Sequence, residues 1–194
     1  MVFVFLQKMS KNILHFFRKQ CYNVAEIRKK VSRVNALKEV TTFGEVDSVD
    51  FAIYLNTRAK ARGSDVNITK IHKWLYICYG LYFTVSGEQL LTERPRAWDY
   101  GPAFPRVHTR NNKNNNSLDG LKSEVPMESL EKYNDVIDAT LDNFGDWSAS
   151  QLVAWTHKKG SAWYRAYNEE KYTPIDNHYI LLDFEGLFVD AKRV

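Results

Sequence analysis

The chain contains few residues of the kinds that hold small disulfide-rich or zinc-binding domains together. Of its 194 residues only two are cysteines, Cys21 and Cys78, and they form no CxxC pair. This scarcity argues against a disulfide scaffold and against a zinc knuckle. A reducing cytoplasm is the compartment that we predict.

Long apolar runs are also missing. Residues 1–6 are apolar, but the positive charges follow this run instead of preceding it, unlike a secretory signal. No other run approaches the roughly 20 apolar residues that a membrane-spanning helix needs. We therefore expect a soluble protein with no membrane span.

Motifs that carry chemistry are absent as well. The five histidines show no HExxH or other close ligand spacing, and there is no glycine-rich phosphate loop. No residue pair indicates a nucleophile with a base. We predict no enzymatic activity, no catalytic residues, no cofactor and no metal.

The positive charge of the chain is concentrated at its start. Residues 1–46 hold nine Lys and Arg against three Glu, a net of +6, whereas the remaining 18 basic and 20 acidic residues give −2. A body with this balance has no general attraction for nucleic acid, so we regard nucleic acid as an improbable partner.

Apolar residues within this basic extension fall close to a seven-residue repeat, which predicts one or two amphipathic helices over residues 10–37. The apolar face of these helices must pack against another surface. The alternatives are the body of the same chain, a second copy in a homo-oligomer, another protein or an anionic lipid surface. Disorder until a partner arrives is a further alternative. This apolar face contains three candidate partner-binding residues, Phe17, Val24 and Val31.

A central helix is predicted from Asn67, a good N-cap, to Gly87, a good C-terminal stop. Its apolar residues recur at three- and four-residue steps, which indicates a largely buried helix. Gly80 leaves room for a neighbouring backbone. The opposite face is expected to present Lys70, Lys73 and Thr84 to solvent or a partner, with the two lysines as candidate binding residues.

The segment after this helix contains Gly101-Pro102 and Phe104-Pro105, which disfavour a continuous regular element. We predict a fixed connection anchored by Trp98, Tyr100 and Phe104, with a short hairpin near residues 90–98. Packing is the usual role of such aromatic side chains. The alternative is recognition, and Trp98 and Tyr100 are therefore also candidate partner-binding residues.

The remaining patterns complete a mainly α, compact multi-helix body at residues 47–186, with an N-terminal helical arm at 1–46 and a tail at 187–194. Ser48 and Ser161 are expected to be N-caps, and Ser148 with Gln151 has the spacing of a capping box. The expected elements are a helix from 48 to a stop at Gly63, a mobile loop at 110–117, a helix at 127–144 closed by Gly145, helices after 148, 161 and 174, and a terminal strand at 187–189.

Several blocks of the body together resemble the Panacea domain family, which includes SocA-like and GepA-like antitoxins and phage-associated proteins. The resemblance covers about residues 48–184. The blocks that carry it are Lys70-Ile-His-Lys-Trp-Leu-Tyr76, Ala97-Trp-Asp-Tyr-Gly-Pro102, Thr156-His157 and Gly160-Ser-Ala-Trp163. Its structural signature falls on Leu75, Gly80, Gly101, Pro102, Pro105, His157 and Trp163. Three positions depart from the pattern: His72 replaces a glutamine, Trp74 an aliphatic residue and Ala162 a proline.

The resemblance implies a helical antitoxin that neutralises a cognate protein toxin by direct binding, and it implies no catalytic residues. Five tryptophans and eleven tyrosines agree with a binding module, because interface centres are rich in aromatic residues. Masking of the toxin's working surface is the mechanism that we expect. The alternatives are an adaptor that delivers the toxin to a cytoplasmic protease and a DNA-binding regulator of its own operon, although no helix-turn-helix pair is evident.

Overall fold

The computed structural model describes the backbone of residues 44–191 and the side chains of residues 44–185. These residues form seven α-helices, one 3-10 helix and one two-stranded antiparallel hairpin, so the predicted mainly α fold is confirmed. The arm residues Phe17, Val24 and Val31 lie outside the described residues. The elements are α1 (Ser48–Ala61), α2 (Ile68–Ser86), β1 (Arg96–Trp98), β2 (Gly101–Ala103), α3 (Pro105–Lys113), the 3-10 helix (Met127–Tyr133), α4 (Asn134–Phe144), α5 (Ala149–Thr156), α6 (Ala162–Glu169) and α7 (Asn177–Ala191).

The central helix α2 has the predicted ends. The Asn67 side chain accepts a hydrogen bond from the Lys70 N–H at 3.0 Å, and Gly87 adopts φ 76° while its N–H bonds to the Phe83 carbonyl. Helices α1, α4, α5 and α7 and strand β2 all pack on α2. The helix is therefore buried on every side along its middle turns.

The prediction that one face of α2 is exposed to solvent is wrong. Lys70, Lys73 and Thr84 are only 4%, 2% and 3% exposed, because neighbouring elements cover the side of the helix that we assigned to solvent. Gly80 permits a close approach, as predicted, but the neighbour is a ring and not a backbone. A Cβ at Gly80 would lie 2.2 Å from the Phe184 ring of α7.

Side-chain caps fix the ends of several helices. Asp47, not Ser48, is the N-cap of α1, since its carboxylate accepts from the Val49 N–H at 2.8 Å while the buried Ser48 hydroxyl donates to Glu93. The capping box of Ser148 and Gln151 begins α5, and the Ser161 side chain caps α6. Both of these predictions are confirmed.

Two predicted irregular segments are regular. Pro105 occupies the first turn of α3, where a missing N–H costs nothing, and Gly101-Pro102 lies in β2. The hairpin itself is present, but it spans residues 96–103 and not 90–98. The predicted loop at 110–117 is wrong over 110–113, which complete α3 and bury Asn111.

The last helices also differ from expectation. The predicted single helix at 127–144 is a 3-10 helix followed by α4, and α7 continues through 187–189, where we expected a strand. Apolar side chains at Ile180 and Phe184 bury one face of α7. Within residues 44–191, none of the helices combines the length and apolar character required to cross a bilayer.

Candidate protein-binding surface

The hairpin forms a small two-stranded sheet, and the outer edge of β1 bonds to a later segment of the chain. Trp98 pairs with Gly101 across a two-residue turn, Asp99-Tyr100. The outer edge of β1 is also bonded, since the Ala97 N–H donates to the Thr173 carbonyl at 2.9 Å and the Tyr172 N–H donates to the Ala97 carbonyl at 2.8 Å. The outer edge of β1 is therefore held by one segment from a distant part of the chain.

Asp99 ties the turn to the C-terminal part of the domain. One carboxylate oxygen accepts from the Tyr167 hydroxyl at 2.6 Å, and the other accepts from the Tyr172 hydroxyl at 2.8 Å. The Lys171 ammonium lies 3.7 Å away. The Tyr167 hydrogen bond, followed by that of Tyr172, lowers the pKa of Asp99.

A stack of three rings supports the turn from the side. His157 lies flat against Trp163 with ring centroids 3.7 Å apart, and Tyr167 stacks on Trp163 at 4.6 Å. The Trp163 indole N–H donates to the Trp98 carbonyl at 2.8 Å. The signature residues His157 and Trp163 thus hold the hairpin in place.

A buried lysine holds the hairpin from below. The Lys73 ammonium donates to the Pro102 carbonyl at 2.9 Å, and burial lowers the pKa of this lysine to about 7. A Cβ at Gly101 would lie 2.8 Å from Lys73 Nζ and 2.7 Å from Thr156 Oγ1, and Gly101 has φ 96°. Glycine is required here both for space and for backbone conformation.

His72 is a second buried polar group under the hairpin. Its Nδ1 accepts from the Phe104 N–H at 3.2 Å, so in the neutral ring Nε2 carries the proton. Nε2 has no hydrogen-bond partner within the described part of the chain. Burial, reinforced by the charge of Lys73 and by His108, lowers the pKa of His72 to about 3. The ring is therefore neutral at physiological pH.

The outer side of the hairpin exposes aromatic side chains. Tyr100 is 78% exposed and Tyr172 is 51% exposed, while Trp98 is half-buried against the His108 ring at 5.0 Å. Tyr100 does not anchor the hairpin, contrary to our expectation, because its ring points away from the body. We call Trp98, Tyr100, Tyr167 and Tyr172 together with Asp99 the hairpin tip.

The sequence-predicted residues separate into two groups. Trp98 and Tyr100 lie at the hairpin tip, whereas Lys70 and Lys73 lie inside the domain. Lys70 donates to the Gly145 carbonyl at 3.2 Å and its ammonium lies 4.9 Å from the Trp74 ring centre. A binding role based on solvent exposure of these two lysines is therefore excluded.

Two parts of the site were missed in the sequence. Asp99 lies within the Ala97–Pro102 motif, but the two tyrosine hydroxyls that donate to it come from residues 68 and 73 positions further along the chain. A Trp-Asp-Tyr-Gly turn followed by a distant tyrosine-rich segment was the available signal. The polar role of His72 under the hairpin had no signal in residue spacing.

The sequence is similar to known antitoxins. Residues 71–164 match the family described as antitoxin SocA-like, Panacea domain, so the predicted family resemblance is confirmed. Antitoxin SocA from Caulobacter vibrioides (strain NA1000 / CB15N) is 28% identical over 129 residues, which are 61% of this chain and 69% of that relative. No solved structure gives a significant match. The matched range contains Asp99 and Trp163 but ends before Tyr167 and Tyr172.

Proposed function

Since residues 71–164 form a SocA-like Panacea domain, we propose that this protein is an antitoxin that neutralises a cognate protein toxin by covering it with the hairpin tip. The observation that carries the proposal is a rigidly held turn that displays Tyr100 and Tyr172 to solvent. Exposed aromatic side chains of this kind are the residues most often found at the energetic centre of protein interfaces.

Rigidity favours tight binding by this surface. The tip is fixed by two hydroxyl–carboxylate hydrogen bonds to Asp99, by the Trp163 indole and by Lys73, so little conformational freedom is lost when a partner binds. Tyrosine adds apolar contact area together with a hydroxyl that donates and accepts. An antitoxin that acts by mass action needs a Kd near nanomolar, about −12 kcal/mol, and a preorganised surface helps to reach it.

Masking requires no chemistry from the antitoxin, and the family match points to a non-enzymatic role. The toxin is held in the cytoplasm with its working surface against the tip. Delivery of the bound toxin to a cytoplasmic protease is compatible with the same contact. The rate of toxin degradation, with and without this protein, distinguishes delivery from masking alone.

The test is co-purification of the neighbouring gene's product with the full chain. We expect the wild-type protein to retain the toxin and to restore growth when both are expressed. Tyr100→Ala should weaken binding at least about tenfold, as expected for an interface hot spot, without changing the melting temperature. Leu182→Ala, which removes an exposed apolar side chain on α7 outside the tip, is the control. Full binding by Tyr100→Ala would contradict the tip assignment.

A further inference from the structure

A groove of about 400 Å³ lies between the start of α1 and one face of α3. Its wall on the α3 side carries Arg106, Arg110 and Lys113, which recur at steps of four and three residues and so share one helical face. Lys122 faces them from the loop that closes the other wall. Four cations therefore converge on one cavity.

Two of the three acidic residues that line the groove are engaged in the fold through their carboxylates, whereas the Glu124 side chain is exposed. Asp47 caps α1 and forms an ion pair with Arg106, while the buried Asp50 accepts from the Glu124 N–H at 2.8 Å. Within residues 44–185, no ion pair is formed by the three other groove cations, Arg110, Lys113 and Lys122. The groove thus offers an anionic partner three cations against the one exposed carboxylate of Glu124.

Helix stabilisation alone does not explain this arrangement. Cations in a last turn offset the helix dipole, which accounts for Arg110 and Lys113 in α3. It does not account for Lys122, which is in a loop on the opposite wall. The positive charge of the groove therefore comes from two separate segments of the chain.

The lining favours acidic side chains over nucleic acid. Grooves for single-stranded nucleic acid combine cations with aromatic rings on which bases stack. The lining residues of this groove that the structure describes include no aromatic ring. Val49 and Pro105 supply apolar surface for a peptide, and arginine binds a carboxylate in a planar, two-pronged geometry.

The chain's own arm has the wrong charge for this groove. Residues 1–43 contain nine Lys and Arg but only two acidic residues, Glu26 and Glu39. We propose that the groove binds an acidic peptide segment of a partner protein, which is the toxin if the proposed function holds. This inference rests on that function for the partner's identity but not for its chemistry.

The first experiment uses the full chain and a fluorescein-labelled decaglutamate peptide at low salt, with fluorescence anisotropy as the readout. Arg110→Glu/Lys113→Glu should weaken binding at least about tenfold, because hydrogen bonds to charged groups are lost. Lys158→Glu/Lys159→Glu changes the net charge equally on another exposed loop and should weaken binding less than about threefold, since screening limits distant charges.

Three outcomes would overturn the inference: absence of binding to the wild type, equal losses in the two variants, or tighter binding of an oligothymidylate at the same groove. Equal losses would assign the peptide to the basic arm or to diffuse charge. Thermal unfolding of both variants controls for folding. We expect both to unfold cooperatively because all four side chains are exposed, with Arg110→Glu/Lys113→Glu slightly less stable because it places anions in the last turn of α3.

The second experiment repeats toxin co-purification with the same variants. Release of the toxin by Arg110→Glu/Lys113→Glu, but not by the control, supports the groove as a toxin contact. Retention by both variants overturns the groove as a toxin contact and leaves the antitoxin proposal intact. Failure of the wild type to retain the toxin counts against the antitoxin proposal, and the peptide measurement still decides what the groove binds.

Discussion

The two sides of the hairpin use polar and aromatic residues for opposite purposes. Below it, Lys73 and His72 are buried and each makes a hydrogen bond to the backbone of residues 102–104. Above it, Tyr100 and Tyr172 are exposed around the carboxylate of Asp99. A short turn, not a cleft, separates the residues that fix the fold from the residues available to a partner. Substitutions on the two sides should therefore have separable effects on stability and on binding.

The largest expected effect is a loss of stability in acid, caused by the buried His72. The pKa of His72 is about 3 in the folded protein against an ordinary value of 6.5, so between these values the unfolded chain binds the proton and the folded chain does not. The free energy of unfolding should fall by roughly 4 kcal/mol from this group as pH drops from 6.5 to 3. Asp183, whose pKa burial raises to about 6, acts in the opposite sense between pH 6 and 3.8.

Urea unfolding of the wild type and of His72→Gln across this pH range measures the effect. Glutamine has no titrating group and keeps a polar side chain at this position. We expect the stability of the variant, measured relative to the wild type at each pH, to rise by roughly 4 kcal/mol as the pH falls from 6.5 to 3. Identical acid profiles for the two proteins would show that His72 is not the responsible group.

The second effect contrasts an aromatic residue on each side. Trp163→Ala removes a buried ring and its hydrogen bond to the Trp98 carbonyl, and should lower stability by about 3–5 kcal/mol. Tyr100→Ala should change stability by at most about 0.5 kcal/mol, because the ring is exposed. Chemical denaturation of both variants tests the contrast. A Trp163→Ala protein of normal stability that no longer binds its partner would move Trp163 from support to interface.

The third effect appears in alkali. Because burial lowers the pKa of Lys73 to about 7 from 10.5, the unfolded chain holds a proton between these values that the folded chain has released. The free energy of unfolding should therefore rise with pH, by up to about 1.4 kcal/mol per pH unit from this group. Lys73→Met removes the titration, and denaturation at pH 7, 8 and 9 should show a flatter profile. Parallel profiles for the two proteins would contradict the lowered pKa of Lys73.

The smallest effect separates crowding from backbone strain. Gly101 and Gly63 both have positive φ, but a Cβ at Gly101 meets Lys73 and Thr156, whereas a Cβ at Gly63 meets nothing within 4 Å. Gly63→Ala should cost about 1 kcal/mol for conformation alone. Gly101→Ala should cost about 1–2 kcal/mol more, as is typical of overpacking. Equal losses in thermal unfolding would show that Lys73 moves aside freely.

The fold was predictable where local signals decide the structure. Asn67, Gly87 and the capping box at Ser148 set helix ends through contacts within one or two turns, and each is confirmed. Apolar spacing also identified the buried helix α2. It misled us about Lys70 and Lys73, because a helix surrounded on all sides buries its polar residues too, and sequence spacing does not show how many neighbours a helix has.

The candidate site depended on contacts that spacing along the chain does not reveal. Pro105 disfavours a helix interior but begins α3, and only its position in the first turn decides between the two. Asp99 acquires its role from Tyr167 and Tyr172, which lie on separate segments. Trp98 and Tyr100 were named as recognition candidates from their residue types. Their different exposure could be determined only from the structure.

Because β1 bonds to residues 172–174, the hairpin can be completed only after the ribosome has synthesised that later segment. The turn at residues 99–100 is synthesised some seventy residues before the tyrosines and backbone groups that brace it. During translation it therefore has neither its stacked rings nor its outer hydrogen bonds. Nascent chains that stop before residue 172 lack the groups that brace the turn.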